Sequence, residues 1–118
     1  MTSSSASAGI GYATGAGGTV TQATSRTTGV TLAKTSGAIT LFSTTTTAGQ
    51  TTTLTVTNTA VAVTDTVVVS QKSGAGIYMA AVSAVAAGSF NLSIYTPAAV
   101  GAAEAPVFNF AVIKAVTA

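Results

Sequence analysis

Histidine and cysteine are both absent from this chain of 118 residues. Without cysteine the chain has no disulfide, no thiol nucleophile and no thiolate metal ligand. Without histidine it lacks the side chain that most often moves protons near neutral pH. We therefore expect the protein not to be an enzyme, and we expect it to bind neither a metal ion nor a cofactor.

Acidic residues number two, Asp65 and Glu104, so any carboxylate pair for acid–base work would have to be these two. Asp65 precedes the Val67–Val69 run, and we interpret it as a turn residue whose side chain bonds nearby backbone N–H groups. A metal or partner contact is the alternative for this residue. Glu104 precedes Pro106, where we expect an exposed loop charge or a pairing with a lysine of a neighbouring subunit.

Charged residues make up 5% of the chain, whereas about 25% is usual. The four basic residues form no run, which argues against nucleic-acid binding; they are Arg26, Lys34, Lys72 and Lys114. A surface with so little charge has weak protection against association. We therefore expect partners to cover much of it. The alternative is that threonine and serine hydroxyls alone keep the protein soluble.

The beginning of the chain has neither the basic nor the apolar region of a signal peptide. The most apolar stretch, Ile77–Ala87, is too short to span a bilayer, so we expect no membrane partner.

Residues 1–8 are small and polar and predict a flexible N-terminal arm, followed by one domain over residues 9–118. The glycine-rich segment Gly9–Gly18 predicts an irregular loop; no helical pattern follows it, which argues against a nucleotide-binding loop.

From Thr19 onward, apolar residues alternate with threonine, serine and asparagine between glycine-bearing turns. The Val67–Val69 run is apolar on both faces and predicts a strand covered on both sides. Evidence for helix is thin: Ala80–Ala87 is alanine-rich, and Ala98–Ala105 could form a turn or two. We predict an all-β antiparallel sandwich of about eight strands, with a closed barrel as the alternative. The strands are expected near residues 19–24, 30–34, 38–43, 53–58, 66–71, 76–82, 89–96 and 107–116.

Several stretches of turns and strands resemble small structural proteins of tailed bacteriophages. The stretches are Gly11–Gln22, Thr28–Leu32, Gly37–Thr40, Leu54–Asn58, Asp65–Val69, Ala87–Phe90 and Asn109–Lys114. The resemblance implies a virion component, either a capsid decoration (cement) protein or the C-terminal part of a head or tail fibre. It also implies a jelly-roll-like sandwich, often trimeric and attached to the capsid shell. It implies no active-site residues.

On this basis we expect a capsid decoration protein, made in the host cytoplasm and bound to the exterior of the phage head. Its expected partners are the major capsid protein and two further copies of itself. We expect Ile10, Tyr12 and Arg26 to contact these partners, together with the N-terminal arm.

A fibre or receptor-binding module that recognises a host surface glycan is the alternative, with Tyr12, Tyr78 and Tyr95 as candidate sugar platforms. The chain begins with Met1 and shows no stalk, which favours the decoration hypothesis. A pilus-like or surface-layer subunit is disfavoured because the sequence shows no secretion signal.

Overall fold

Ten strands and no helix make up the part of the chain that the computed structural model describes, which is Tyr12 and residues 15–115. The all-β prediction is therefore confirmed. The strands are β1 (Thr19–Thr21), β2 (Val30–Thr31), β3 (Ser36–Thr40), β4 (Thr44–Thr46), β5 (Gln50–Thr57), β6 (Thr66–Ser73), β7 (Met79–Ala86), β8 (Ser89–Thr96), β9 (Val100–Glu104) and β10 (Val107–Ile113). With no helix here, this part of the chain has none long and apolar enough to cross a membrane.

The strands form two four-stranded sheets and one two-stranded sheet. The first sheet has the order β1-β3-β10-β6, the second β2-β5-β8-β7, and the third pairs β4 with β9. Most neighbours are antiparallel as predicted, but β1 pairs with β3, and β2 with β5, in parallel. The sequence pattern also missed β4 and β9, so the described residues hold two strands more than expected. The jelly-roll connectivity stays a prediction.

The core lies between the two four-stranded sheets, which face each other as in a sandwich. The Phe90 ring of β8 lies 5.5 Å from the Phe110 ring of β10, centroid to centroid, across this gap. Tyr78 meets Phe108 edge-on at 6.1 Å. Burying a side chain of this size stabilises the fold by about 1.5–3 kcal/mol. The other buried apolar side chains of this core are Val30, Ile39, Leu41, Leu54, Val56, Val61, Val67, Leu92, Ile94 and Val112.

Register keeps the two faces of the second sheet chemically distinct. Leu54 of β5 lies opposite Leu92 of β8, and Val56 lies opposite Phe90, so all four side chains enter the core. Because side chains alternate along a strand, the residues between them point to solvent. In β5 those residues are threonines, and this threonine row forms part of the outer surface discussed next.

Candidate functional site

Two of the three predicted partner contacts lie in the described part of the chain, and Ile10 lies outside it. Tyr12 is exposed, and its hydroxyl donates a hydrogen bond to the carbonyl oxygen of Val112 on β10. This bond holds the phenol against the end of the first sheet. Its contact with a partner stays a prediction.

Arg26 is buried at the end of the sandwich where β4 and β9 pair. Its guanidinium donates to three carbonyl oxygens, those of Phe42 at 2.7 Å, Thr44 at 3.1 Å and Glu104 at 2.9 Å. It also lies over the ring of Tyr78, 5.9 Å from the centroid. These contacts give Arg26 a structural role inside the chain, and its predicted contact with a partner remains a prediction.

Glu104 is half-buried on β9, so the expected exposed loop charge is wrong. Its carboxylate accepts hydrogen bonds from the Tyr78 hydroxyl, from the Ala75 N–H at 2.5 Å and from the Gly76 N–H at 3.1 Å. The bond from Tyr78, with those from the two amides, lowers the pKa of Glu104. Burial, reinforced by the bond to this carboxylate, raises the pKa of Tyr78. Glu104 therefore fixes the loop between β6 and β7.

Asp65 accepts a hydrogen bond from the Ala62 N–H at 2.8 Å, which confirms its interpretation as a turn residue. It also forms an ion pair with Lys114, whose Nζ lies 2.6 Å from Oδ2. The bond from Lys114 lowers the pKa of Asp65. Asp65 thus lies at the end of β10 that Lys114 follows, whereas Glu104 lies just before its start. At the rise of an extended strand, the two carboxylates are roughly 20 Å apart, too far to act as a glycosidase pair.

Four of the six charged side chains are thus engaged within the chain, namely Arg26, Asp65, Glu104 and Lys114. Lys34 reaches the carbonyl oxygen of Gly15 at 3.4 Å, a weak contact. Lys72 on β6 is exposed and has no hydrogen bond or ion pair with another of the described residues. The surface that remains for partners carries very little net charge.

The outer surface of the second sheet has no charge at all in its three long strands, β5, β7 and β8. We call this surface the hydroxyl face; its residues are Thr51, Thr53, Thr55, Met79, Ala81, Ser83, Asn91, Ser93 and Tyr95. Its hydroxyls bond to one another: the Ser93 Oγ lies 2.8 Å from the Thr53 Oγ1 and 2.9 Å from the Ser83 Oγ. Polar groups that already have partners cost less free energy to cover. The hydroxyl face is therefore suited to protein contact.

One end of the hydroxyl face is apolar. Tyr95 of β8 lies opposite Met79 of β7, and the two are 39% and 62% exposed. Ile77, two residues before Met79 on the chain, is 79% exposed. Met79 and Tyr95 line an open depression of about 410 Å³ together with Thr51. Exposed apolar groups gathered in this way mark interaction surfaces.

The three tyrosines proposed as sugar platforms differ in their surroundings. Tyr78 is buried in the core, so its ring is closed to a sugar in the folded chain. Tyr12 and Tyr95 are exposed. Tyr95 pairs with Thr51, an exposed hydroxyl residue on the adjoining strand β5.

The outer surface of the first sheet carries a second apolar patch. Val67 is buried, but Val68 faces outward and is exposed, so the described residues cover β6 on its inner face. Val68 lies opposite Ala111, and the exposed Ile113 follows on the same face of β10. The predicted coverage of the Val67–Val69 strand on both sides stays a prediction.

Comparison with protein-family models, with curated proteins and with solved structures finds no match for this chain. The hydroxyl face was not singled out from the sequence, although a signal was present. The alternation of threonine with apolar residues through Thr53–Thr57, together with uncharged strands at 79–86 and 89–96, marks it. That pattern defines an uncharged outer face only once β5, β8 and β7 are known to be neighbours.

Proposed function

We propose that this chain is a structural virion protein, a capsid decoration protein on the exterior of the phage head. It stabilises the shell through contacts with copies of itself and with the major capsid protein. One observation carries the proposal: most of the few charged side chains bond within the chain, leaving an uncharged hydroxyl face and an apolar patch on the opposite sheet.

The physical argument rests on the cost of desolvation. A standard interface buries about 800 Å² of each partner. Charged groups in its centre lose their hydration, and this cost is offset only when they are paired. Threonine and serine hydroxyls cost much less to cover than a charge when they keep a hydrogen-bond partner, and the alanine methyl carries no such cost. Lysine and glutamate are depleted in interface centres, and serine and alanine are depleted there as well. A chain whose outer faces are built from hydroxyls and small apolar groups is suited to contact several neighbours in a lattice.

The number of copies in purified phage particles that contain the chain tests this proposal. Quantitative mass spectrometry, with the major capsid protein as internal standard, is expected to give hundreds of copies per particle. Release of the chain by mild denaturant is expected to lower the temperature at which the shell opens. A few copies per particle, located at the tail, would contradict the decoration role and favour a fibre.

A glycan-binding fibre module is the second candidate, favoured by the exposed Tyr95 beside Thr51 and Ser93. An aromatic ring next to hydroxyls offers an apolar surface together with hydrogen-bonding groups. Binding to a panel of bacterial surface polysaccharides, lost in Tyr95→Ala and kept in Tyr12→Ala, is the expected result for this candidate. Decoration predicts no binding to any member of the panel.

A further inference from the structure

The guanidinium of Arg26 keeps unused donors after its bonds within the chain. Its Nε donates to the carbonyl oxygen of Phe42, and its Nη2 donates to those of Thr44 and Glu104. The Nη1 group carries two further N–H donors. It makes no hydrogen bond with any of the described residues, and it is not fully buried. These two donors are therefore open to an acceptor from outside the chain.

The positive charge of Arg26 also has no ion pair within the described part of the chain. Arg26 is 9% exposed, and an arginine this buried is normally paired. The ion pair found among the described residues joins Lys114 to Asp65. Glu104 is close enough to interact with the charge of Arg26, but its carboxylate bonds to Tyr78 and to the loop between β6 and β7 instead. A buried cation in these surroundings is suited to bind an anion.

Arg26 lines an open depression of about 290 Å³ at this end of the sandwich, and it is the charged residue among those that line it. The half-buried ring of Phe42 and the amide of Gln50 line it as well. The remaining lining residues all carry a hydroxyl; they are Ser25, Thr27, Thr44, Thr45, Thr46 and Thr52. The depression therefore offers a cation among uncharged hydrogen-bonding groups.

We infer that this depression binds the carboxylate of an acidic side chain that belongs to a different protein. Guanidinium N–H groups match carboxylate oxygens in geometry, and bonds between the two are among the stronger hydrogen bonds in proteins. The surrounding hydroxyls and the Gln50 amide can bond to the second oxygen or to the peptide groups beside it. This inference deepens the proposed function and rests on it for the identity of the partner, which is the major capsid protein.

The charges of the chain itself argue against a second copy as the source of this side chain. The chain has two acidic residues, Asp65 and Glu104. Asp65 is held by Lys114, and Glu104 by the Tyr78 hydroxyl and two backbone N–H groups. Neither can enter the depression of a neighbouring copy without losing these bonds. The carboxylate at the C-terminus lies outside the described residues, and it is tested separately below.

A protein side chain also suits the depression better than a sugar does. Its volume of about 290 Å³ lies at the lower limit of the roughly 300–1,000 Å³ that small-molecule sites occupy. Phe42 is the aromatic residue that lines it, and its half-buried ring leaves little surface on which a sugar could stack. One acidic side chain with its neighbouring peptide groups needs no such surface.

Titration of the purified chain with short peptides, followed by NMR, tests the site. The probes are acetyl-Ala-Glu-Ala-amide and its uncharged match, acetyl-Ala-Gln-Ala-amide. The glutamate peptide is expected to shift the backbone amide signals of Arg26, Thr27, Thr44 and Thr45, which belong to the depression. It is expected to bind at least about tenfold more tightly than the glutamine peptide, because hydrogen bonds to a charged acceptor are the stronger ones.

A variant of a lining residue tests the same site without removing the bonds that Arg26 makes within the fold. Thr45→Asp places a carboxylate in the depression, and we expect it to weaken binding of the glutamate peptide at least about tenfold, since like charges repel. Ser70→Asp is the matched control. It adds the same charge to an exposed residue of β6 in the other sheet, and binding is expected to stay unchanged. Unchanged circular dichroism shows that each variant is folded.

Two further probes distinguish other sources of the carboxylate. They are sodium glucuronate and a peptide of residues 111–118, the latter with a free and with an amidated C-terminus. Tighter binding of glucuronate than of the glutamate peptide would overturn the inference in favour of an acidic sugar. Tighter binding of the free-acid peptide 111–118 than of the glutamate peptide would overturn it in favour of a second copy.

The remaining outcomes separate this inference from the proposed function. No binding of the glutamate peptide, equal binding of both tripeptides, or unchanged binding by Thr45→Asp overturns the carboxylate site. Hundreds of copies on phage particles would still support the decoration role in that case. Carboxylate binding by a chain that is absent from the shell would support the site and contradict the decoration role.

Discussion

Arg26 is the residue on which the end of the sandwich depends most directly. Its three acceptors are backbone carbonyl oxygens on two segments that are distant in sequence, Phe42–Thr44 and Glu104. The sequence around Arg26 does not indicate these carbonyl acceptors. For this reason Arg26 was predicted to contact a partner, and only the fold shows that it is buried within the chain.

Replacement of Arg26 by alanine is expected to destabilise the fold by about 2–4 kcal/mol, because it leaves buried carbonyl groups without donors. Chemical denaturation followed by circular dichroism measures the difference. Lys72→Ala is the matched control, since it removes a cation from an exposed site and is expected to change stability by less than about 0.5 kcal/mol. A similar loss in both variants would contradict the structural role of Arg26.

Glu104 makes the stability of the fold depend on pH. Its carboxylate form is stabilised in the folded state, so its folded pKa lies below the ordinary value of 4.5. In acid the unfolded chain then binds more protons than the folded chain, and stability falls as pH drops from about 4.5 through the lower folded pKa. Asp65 acts in the same direction below 3.8.

Melting temperatures measured from neutral pH into this acid range test the effect. Glu104→Gln is expected to melt below wild type at neutral pH, with the difference shrinking as wild type becomes protonated. Asp65→Asn is a parallel variant that isolates the ion pair with Lys114. A constant difference between Glu104→Gln and wild type across the range would show that the charge of Glu104 has no part in stability.

At the scale of elements, the strands with the clearest alternation of apolar and polar residues were predicted best. β8 was predicted with its observed bounds, because Phe90, Leu92 and Ile94 alternate with polar residues throughout. β9 lies within Ala98–Ala105, an alanine-rich stretch for which the sequence allowed a turn or two of helix and predicted no strand. Alanine favours helix locally, but pairing with β4 satisfies the backbone of this segment and overrides that preference. β4 is a run of threonines without alternation, so no pattern marked it.

Close packing at Gly37 joins β3 to the loop before β1. A Cβ atom there would lie 2.7 Å from the Gly18 carbonyl oxygen and 2.8 Å from a Leu32 methyl carbon, closer than atoms tolerate. Gly37→Ala is therefore expected to cost about 1–3 kcal/mol, measured by chemical denaturation. Gly101 on β9 has nothing within 4 Å of the same position and an ordinary φ. Gly101→Ala is the control, and an equal cost in both variants would contradict the packing argument.

At the scale of the whole molecule, charged side chains are few, and the long strands of the second sheet have none on their outer surface. A contact through the hydroxyl face would bury no charged side chain of β5, β7 or β8. Salt screens charge pairs but leaves apolar and backbone contacts intact. The small number of charged residues was evident in the sequence. That most of them bond to other groups of the same chain became visible only in the fold.

Association is therefore expected to hold, or to strengthen, when the ionic strength rises from about 0.05 to 1 M NaCl, because contacts of this kind are not screened. Sedimentation velocity across this range measures it. Ammonium sulfate, which strengthens apolar burial, is expected to increase association further. Dissociation on addition of salt would show that ion pairs hold the copies together.

The place of β10 in the sheet has a consequence for synthesis. β10 lies between β3 and β6, so the first sheet lacks an inner strand until the ribosome has made residues 107–113. All four strands of the second sheet are translated earlier, and their core face then waits for Phe108, Phe110 and Val112. At about 5–20 residues per second this interval lasts a few seconds on each ribosome. During it, the apolar side chains of that core face stay uncovered on each nascent chain, while the chains on one polysome lie close together.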